Sequence, residues 1–428
     1  MDRAKFAELS AWLTQAGLAG ESETALLDGF CRRAIDAGLP LARAALIIDT
    51  LHPVYEGRGF RWRREAARPQ PAPGGVDFWD SIGWHPEAGQ PQTELVEYGP
   101  TSEGEAAENW RRSVFFHLLE TGGSLFRVRF HAGETTDFST IAQLRDEGMT
   151  DVVVMITRFT ASGTIGEMDC VYSYWATERP AGFDQAEIDE LVGLTPKLAL
   201  AIKCLSLGRI AQTLVETYLG RDPGQRVLGG LIRRGVAERI TAALWFSDLR
   251  DFTRIADQVE PSQLIPFLND YAGIVISAVQ DYGGDVLKLI GDGVLAVFSD
   301  GALGPACHSA MAAEADLRNR LGRLNQRRAF EGLPTTEIYL GLHVGEVFYG
   351  NIGSKDRLDF TVDGPAVNEV SRIAAMCRSV DRELLVSEAF AEAMTEAERA
   401  RLVSAGRYAL RGVDRPQHLF TREPFAVA

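Results

Sequence analysis

An α+β chain in two domains is the fold class this sequence predicts, and three observations carry that reading. Over the C-terminal half, apolar runs of strand character alternate with runs of helical period. In the N-terminal half a helix-like segment precedes several strand-like ones and another helix follows them. The 428 residues, 46% hydrophobic and 24% charged, supply core for two ordinary globular units. A net charge of −15 excludes a generic polyanion-coating protein, so nucleic acid is not an expected partner. The five cysteines (Cys31, Cys170, Cys204, Cys307, Cys377) show no CxxC or Cys/His spacing, which reads as free thiols in a reducing compartment. Met1 to Lys5 carries no signal-peptide pattern, and no apolar run approaches the ~18 residues that span a bilayer. The expectation is a cytoplasmic protein with no membrane partner.

Residues 1–205 read as the first domain. Its strand-like runs are Ala44 to Asp49, Leu125 to Phe130 and Val152 to Phe159. The Pro/Gly-rich breaks at Arg68 to Val76, Gln90-Pro91 and Gly99-Pro100 read as loops within it. Ala186 to Cys204 is an amphipathic helix with Ile188, Leu191, Leu194, Leu198 and Ile202 on one stripe. Gly182-Phe183-Asp184-Gln185-Ala186-Glu187-Ile188-Asp189-Glu190-Leu191, running on to Leu198 through Ile202, resembles the end of GAF-type domains. That resemblance implies a GAF/PAS-like α+β sensor with a small-molecule or protein regulator; an unrelated α+β domain is the alternative. His52, His85, His117 and His131 have no ligand spacing and read as structural. Residues 206–235 form a helical linker that is helical to Gly220, with a turn at Asp222-Pro223-Gly224.

The second domain, 236–428, opens on a buried strand, Ala242 to Ser247. A helix from Glu260 to Tyr282 follows, with Leu264, Leu268, Tyr271, Val275 and Val279 on its apolar face and Gly283-Gly284 ending it. Val286 to Ile290 and Val294 to Phe298 are strands joined by Gly291-Asp292-Gly293, a hairpin by its turn residues. A helix from about Pro305 to Leu321, a half-buried strand through Ile338, Leu340 and Leu342, a strand from Leu358 to Val362 and a helix from Ala366 complete a βαββαβ order.

Three segments carry the chemistry. Phe246-Ser247-Asp248-Leu249-Arg250-Asp251-Phe252-Thr253 and Lys288-Leu289-Ile290-Gly291-Asp292-Gly293 each put a carboxylate where a strand enters a tight turn. Paired oxygen ligands of that kind suit Mg²⁺ carrying a nucleoside triphosphate. With Thr361-Val362-Asp363-Gly364-Pro365-Ala366-Val367-Asn368-Glu369-Val370-Ser371-Arg372, the chain closely resembles the class III nucleotidyl cyclases, in particular the adenylate cyclases called class IIIb. A ferredoxin-like βαββαβ core is then implied, as is conversion of ATP to cyclic AMP and pyrophosphate in a homodimer. Asp248, Asp292 and the Leu249 carbonyl would hold two Mg²⁺ or Mn²⁺ ions. Lys288 and Thr361 would read adenine, the backbone through Phe252 and Thr253 would cradle phosphates, and Arg357 would bind the β/γ-phosphates. Asn368 and Arg372, spaced i, i+4 on one helix face, match the ribose-orienting asparagine and the transition-state arginine. One departure stands out: Asp251 occupies the family's usual glycine, which supports the alternative of a degenerate nucleotide-binding module without turnover.

Overall fold

The computed structural model describes residues 3–64, 93–99, 104–159, 165, 168–299, 301–413 and 415–422. The breaks at Arg68 to Val76 and Gln90-Pro91, together with His85 and Pro100, lie outside the described residues. The chain divides into two compact units, Met1–Leu214 and Val215–Ala428.

In the first unit, helices α1 (Arg3–Ala19) and α2 (Glu23–Asp36) precede strands β1 (Arg43–Asp49), β2 (Gly57–Arg63) and β3 (Thr93–Tyr98). Helices α3 (Gly104–Arg111) and α4 (Val114–Thr121), strand β4 (Leu125–Arg129) and helix α5 (Ser139–Asp146) come next. Strands β5 (Asp151–Arg158) and β6 (Cys170–Thr177) and the long helix α6 (Gln185–Leu219) follow. The strands form one antiparallel sheet in the order β3-β2-β1-β6-β5-β4. Both of its faces are covered, which is why β1 reads as an unbroken apolar run. Leu46 and Ile48 point into a core with Phe30 of α2 and Leu191, Leu194 and Leu198 of α6. Ala45 and Ile47, one residue out of phase, enter a second core with Phe115 of α4 and Ile141 of α5.

Helix α6 corrects one expectation. An 18-residue window within it has a mean hydropathy of 1.5, so by length and composition it could cross a membrane. Part of that apolarity is the stripe of Ile188, Leu191, Leu194, Leu198 and Ile202, all buried against the sheet. The sequence hid the run because Lys197 and Lys203 punctuate it. His52 accepts from Val54 N and Tyr55 N, and His131 Nδ1 lies 3.2 Å from the Thr150 carbonyl, in keeping with structural roles.

The second unit continues with helix α7 (Arg221–Leu228), which contains Asp222-Pro223-Gly224; the expected turn there is helix instead. Pro223 is tolerated because the first helical turn needs no amide donor. The interruption between the two helices falls two residues before Asp222, at Gly220, whose φ of +93° ends α6. Strand β7 (Ala237–Leu249) leads into the short helix α8 (Phe252–Gln258) and then α9 (Pro261–Asp281). Strands β8 (Asp285–Ile290) and β9 (Gly293–Phe298), helix α10 (Leu303–Phe330), strands β10 (Ile338–Gly353) and β11 (Leu358–Asp363) and helix α11 (Pro365–Val380) follow. The unit closes with β12 (Leu384–Ser387), helices α12 (Glu388–Ala393) and α13 (Glu396–Arg399), β13 (Leu402–Tyr408) and β14 (Gln417–Arg422).

The sheet runs β13-β14-β12-β10-β7-β9-β8, with β11 paired to β10. Four neighbouring strands at one end of it, β10-β7-β9-β8, have the order of the expected βαββαβ core. One face packs on α9 and α10 through Trp245, Phe267, Tyr271, Leu317 and Leu340. The opposite face receives α11 through Val370 and, next to it, Tyr349, Phe360 and Leu244. β10 is therefore buried on both sides over Ile338 to Val344, not half-buried. α10 also runs past its expected end to Phe330, because its charged second half still buries Leu321, Leu324 and Arg328. Arg328 is held there by Asp270 Oδ2 at 2.5 Å and the Pro334 carbonyl at 2.8 Å.

Candidate active site

Antiparallel pairing of Ser247 with Val294 brings the C-terminal end of β7 level with the β8–β9 turn. That turn holds two residues, Gly291 and Asp292, between the paired Ile290 and Gly293. Gly291 has φ +64° and Asp292 does not have positive φ, the pattern of a type II′ turn with glycine at its first central position. Tight turning there lifts the Asp292 side chain toward the end of β7, where its Oδ2 accepts from Leu249 N at 3.2 Å.

Asp248 lies beside it. Burial first, and then the hydrogen bond and charge of Asp292, push the Asp248 carboxyl from its ordinary 3.8 up to about 7. Two carboxylates pressed together on a half-buried strand end are costly unless a proton or a cation sits between them, so the donor set fits a hard divalent ion. Among the described residues no group of three His, Cys, Asp or Glu side chains could hold a metal. A pair of carboxylates holds such an ion only when a backbone carbonyl and substrate oxygens complete its shell.

Beyond Leu249 the chain turns through Asp251 into α8. Phe252 packs its ring on Phe267, with centroids 6.4 Å apart, and so anchors the turn in the core rather than presenting an aromatic face to a ligand. Thr253 is exposed.

Lys288 departs from the expectation of a buried strand. β8 is the sheet edge, its ladder shifts register between Val286 and Lys288, and Leu287 is its only buried residue. Lys288 is exposed, and its ammonium pairs with Asp359 of β11. Thr361 lies two residues along β11 on the same side, buried and opposite Gly350. Asp359 is a residue that sequence reasoning missed: its place two before Thr361 is a strand-period signal, but its cross-strand partner is visible only in the fold.

On α11, Ala366, Val370, Ile373, Ala374 and Cys377 are buried, leaving Asn368 exposed and Arg372 half-buried. The Arg372 guanidinium runs beside Gly412, where a Cβ would stand 3.3 Å from Nη1. Between them Glu369 reaches toward His343 of β10, at 3.5 Å from Nε2, and His343 Nδ1 bonds Ser387 Oγ at 2.9 Å. Burial pushes His343 down to about 4. Arg357 sits apart from these groups on the exposed β10–β11 turn, where its amide bonds Ser354 Oγ.

Residues 237–422 match the adenylate and guanylate cyclase catalytic domain family. An adenylate cyclase of Anabaena cylindrica is 33% identical over 161 residues, which are 37% of this chain and 31% of that protein. Adenylate cyclase 1 of Rhizobium meliloti is 28% identical over 173 residues, 37% of this chain and 25% of its own length. The matched segments thus span about a third or less of these curated relatives. The crystal structure of the adenylyl cyclase CyaB from P. aeruginosa is 26% identical, with a TM-score of 0.40, covering 44% of this chain and 96% of that one. Residues 237–422 are a nucleotidyl cyclase catalytic domain of the adenylate and guanylate cyclase family.

Proposed function

We propose that this domain is an adenylate cyclase, converting ATP to 3′,5′-cyclic AMP and pyrophosphate. The observation that carries the reading is the contact of Asp248 with Asp292 at adjoining strand ends, with a lysine, Lys288, on the strand that enters the Asp292 turn. Asp248, Asp292 and the Leu249 carbonyl would hold Mg²⁺ or Mn²⁺, which supplies Lewis-acid stabilisation of the triphosphate and activation of the ribose 3′-hydroxyl. Lys288 donates to adenine N1, while the Thr361 hydroxyl accepts from N6; guanine would set its own N1–H against the lysine. Asp359 holds the Lys288 ammonium on the Thr361 side of β11. Asn368 orients the ribose, and Arg372 neutralises charge developing on the α-phosphate as the 3′-oxygen attacks in line and pyrophosphate leaves. Arg357 serves the β/γ-phosphates, and the backbone through Phe252 and Thr253 faces the phosphate chain.

The working unit is a homodimer in which one chain's aspartates and Lys288 meet the partner's asparagine and arginine. Support comes from exposed apolar side chains flanking Lys288 and its β11 partner: Leu289, Ile290, Phe348, Ile352 and Leu358. The first domain acts as a GAF-like sensor (residues 1–205) and 206–235 as the connecting helical segment, which the covered six-stranded sheet and α6 support. Free thiols at all five cysteines suit a reducing cytoplasm. The competing reading, a binding module without turnover, leans on Asp251, and that carboxylate is engaged by Arg378.

Mixing two inactive chains tests the proposal. Full-length Asp292→Ala and Arg372→Ala proteins should each lose turnover, and their mixture should regain cyclic AMP formation through heterodimers holding one intact site. A mixture as inactive as its components contradicts the shared-site dimer.

A further inference from the structure

Asp251 sits at the turn between β7 and α8 in the left-handed region, with φ 54°. Its side chain does not cap α8. Instead Arg378 Nη2 donates to Oδ1, while Arg254 Nη2 and Arg250 Nε stand 3.9 and 4.0 Å from Oδ2. One carboxylate therefore gathers three guanidiniums, and the group is net positive where an isolated aspartate would be negative. Arg250 and Arg254 belong to the turn and to α8. Arg378 comes from α11, the helix that also carries Asn368 and Arg372, so this pair is a direct tie between the aspartate-bearing turn and that helix.

We propose that Arg378 is a positioning residue for the phosphate-facing turn: it holds the Asp251 carboxylate against α11 and neutralises it, so that a charged side chain at this backbone position does not repel the substrate. The inference rests on the cyclase reading, in which the turn faces the triphosphate. Aspartate is among the side chains that tolerate left-handed φ, so the backbone accepts it with little strain. What remains is charge, and an anion free to swing at this turn would oppose a phosphate chain several ångströms away. Because Arg378 is 68% exposed, the pair acts chiefly on where the carboxylate rests rather than on stability.

A double-mutant cycle on the full chain tests it, comparing wild type, Arg378→Ala, Asp251→Gly and the double variant. The readouts are kcat, KM for ATP, and Kd for Mg²⁺·3′-deoxy-ATP, which binds but lacks the attacking hydroxyl. Arg378→Ala should raise KM and Kd about fivefold with kcat within about twofold, the size of an exposed charge interaction in solvent. In the Asp251→Gly background the same change should do nearly nothing, and Arg378→Lys should retain most of the wild-type affinity. Matching thermal melts guard against loss of fold. A wild type that binds the nucleotide but forms no cyclic product overturns the cyclase reading, and the Kd arm then decides the present inference alone. A wild type that cyclises ATP but shows a flat cycle overturns the inference and leaves that reading standing. So does an Arg378→Ala defect that persists in the Asp251→Gly background or resides in kcat.

Discussion

Replacing Asp292 by asparagine keeps the acceptor used by Leu249 N–H and gives Asp248 a hydrogen-bond donor, while removing one of two charges in contact. The Asp248 carboxyl stands at about 7 against an ordinary 3.8, which at ~1.4 kcal/mol per pH unit caps the free energy involved at about 4 kcal/mol. Burial is the largest cause and survives the substitution, and Asp248 is only partly covered, so solvent screening leaves about 1 kcal/mol for Asp292 itself. A folded-state pKa raised above the unfolded one favours the fold at low pH, and that advantage is lost as pH rises from about 4 through about 7. The gain from Asp292→Asn should therefore be absent near pH 5 and full at pH 8. There, without metal, the melting temperature of the C-terminal unit should rise by about 2–4 °C, as expected for a domain of this size. Mn²⁺ should stabilise wild type and leave the variant unmoved, and turnover should fall by at least about a hundredfold. Differential scanning calorimetry with and without Mn²⁺ reads both effects. A variant less stable than wild type at pH 8, or one that keeps the Mn²⁺ shift, would refute the reasoning.

Arg372→Ala should lower kcat by about a hundredfold with KM changed less than about threefold; a defect confined to KM would reassign the arginine to ground-state binding. Asp359→Asn should loosen Lys288 and narrow the preference for ATP over GTP by about fivefold, read from the ratio of kcat/KM values. An unchanged ratio would make the pair purely structural. His343 is buried neutral, its pKa lowered from 6.5 to about 4, so its contribution is full above about pH 6.5 and is lost as pH falls toward 4. At ~1.4 kcal/mol per pH unit that amounts to at most about 3 kcal/mol, and Glu369, raised by burial, partly opposes it. Chemical denaturation of His343→Gln should show a flatter stability profile between pH 4 and 6.5 than wild type; parallel profiles would contradict the assignment.

The βαββαβ order was legible because its helices bury regular stripes, such as Tyr271, Val275 and Val279 on α9, and because glycines punctuate its turns. Charge density hid the far half of α10: Arg328 reads as surface, yet it is buried by Asp270 and two aromatic rings. The two-sided burial of β10 was not legible because its regular apolar signal, Ile338, Leu340 and Leu342, lies on one face; the other carries Tyr339, Gly341 and His343, and Gly341 sits against the α11 backbone, where any larger side chain would clash. The approach of Asp248 to Asp292 is legible from local turn context. Asp359 and Arg378 are not, since each takes its meaning from a partner far away in sequence, and no local pattern encodes that partner.

Product analysis tests the central claim most directly. Purified full-length protein is offered ATP and GTP separately with Mg²⁺ or Mn²⁺, and cyclic nucleotides are resolved by chromatography. The account predicts cyclic AMP from ATP and little or no cyclic GMP from GTP, with the activity lost in Asp248→Ala. Cyclic GMP as the main product, or cyclic AMP formation undiminished in Asp248→Ala, would contradict it.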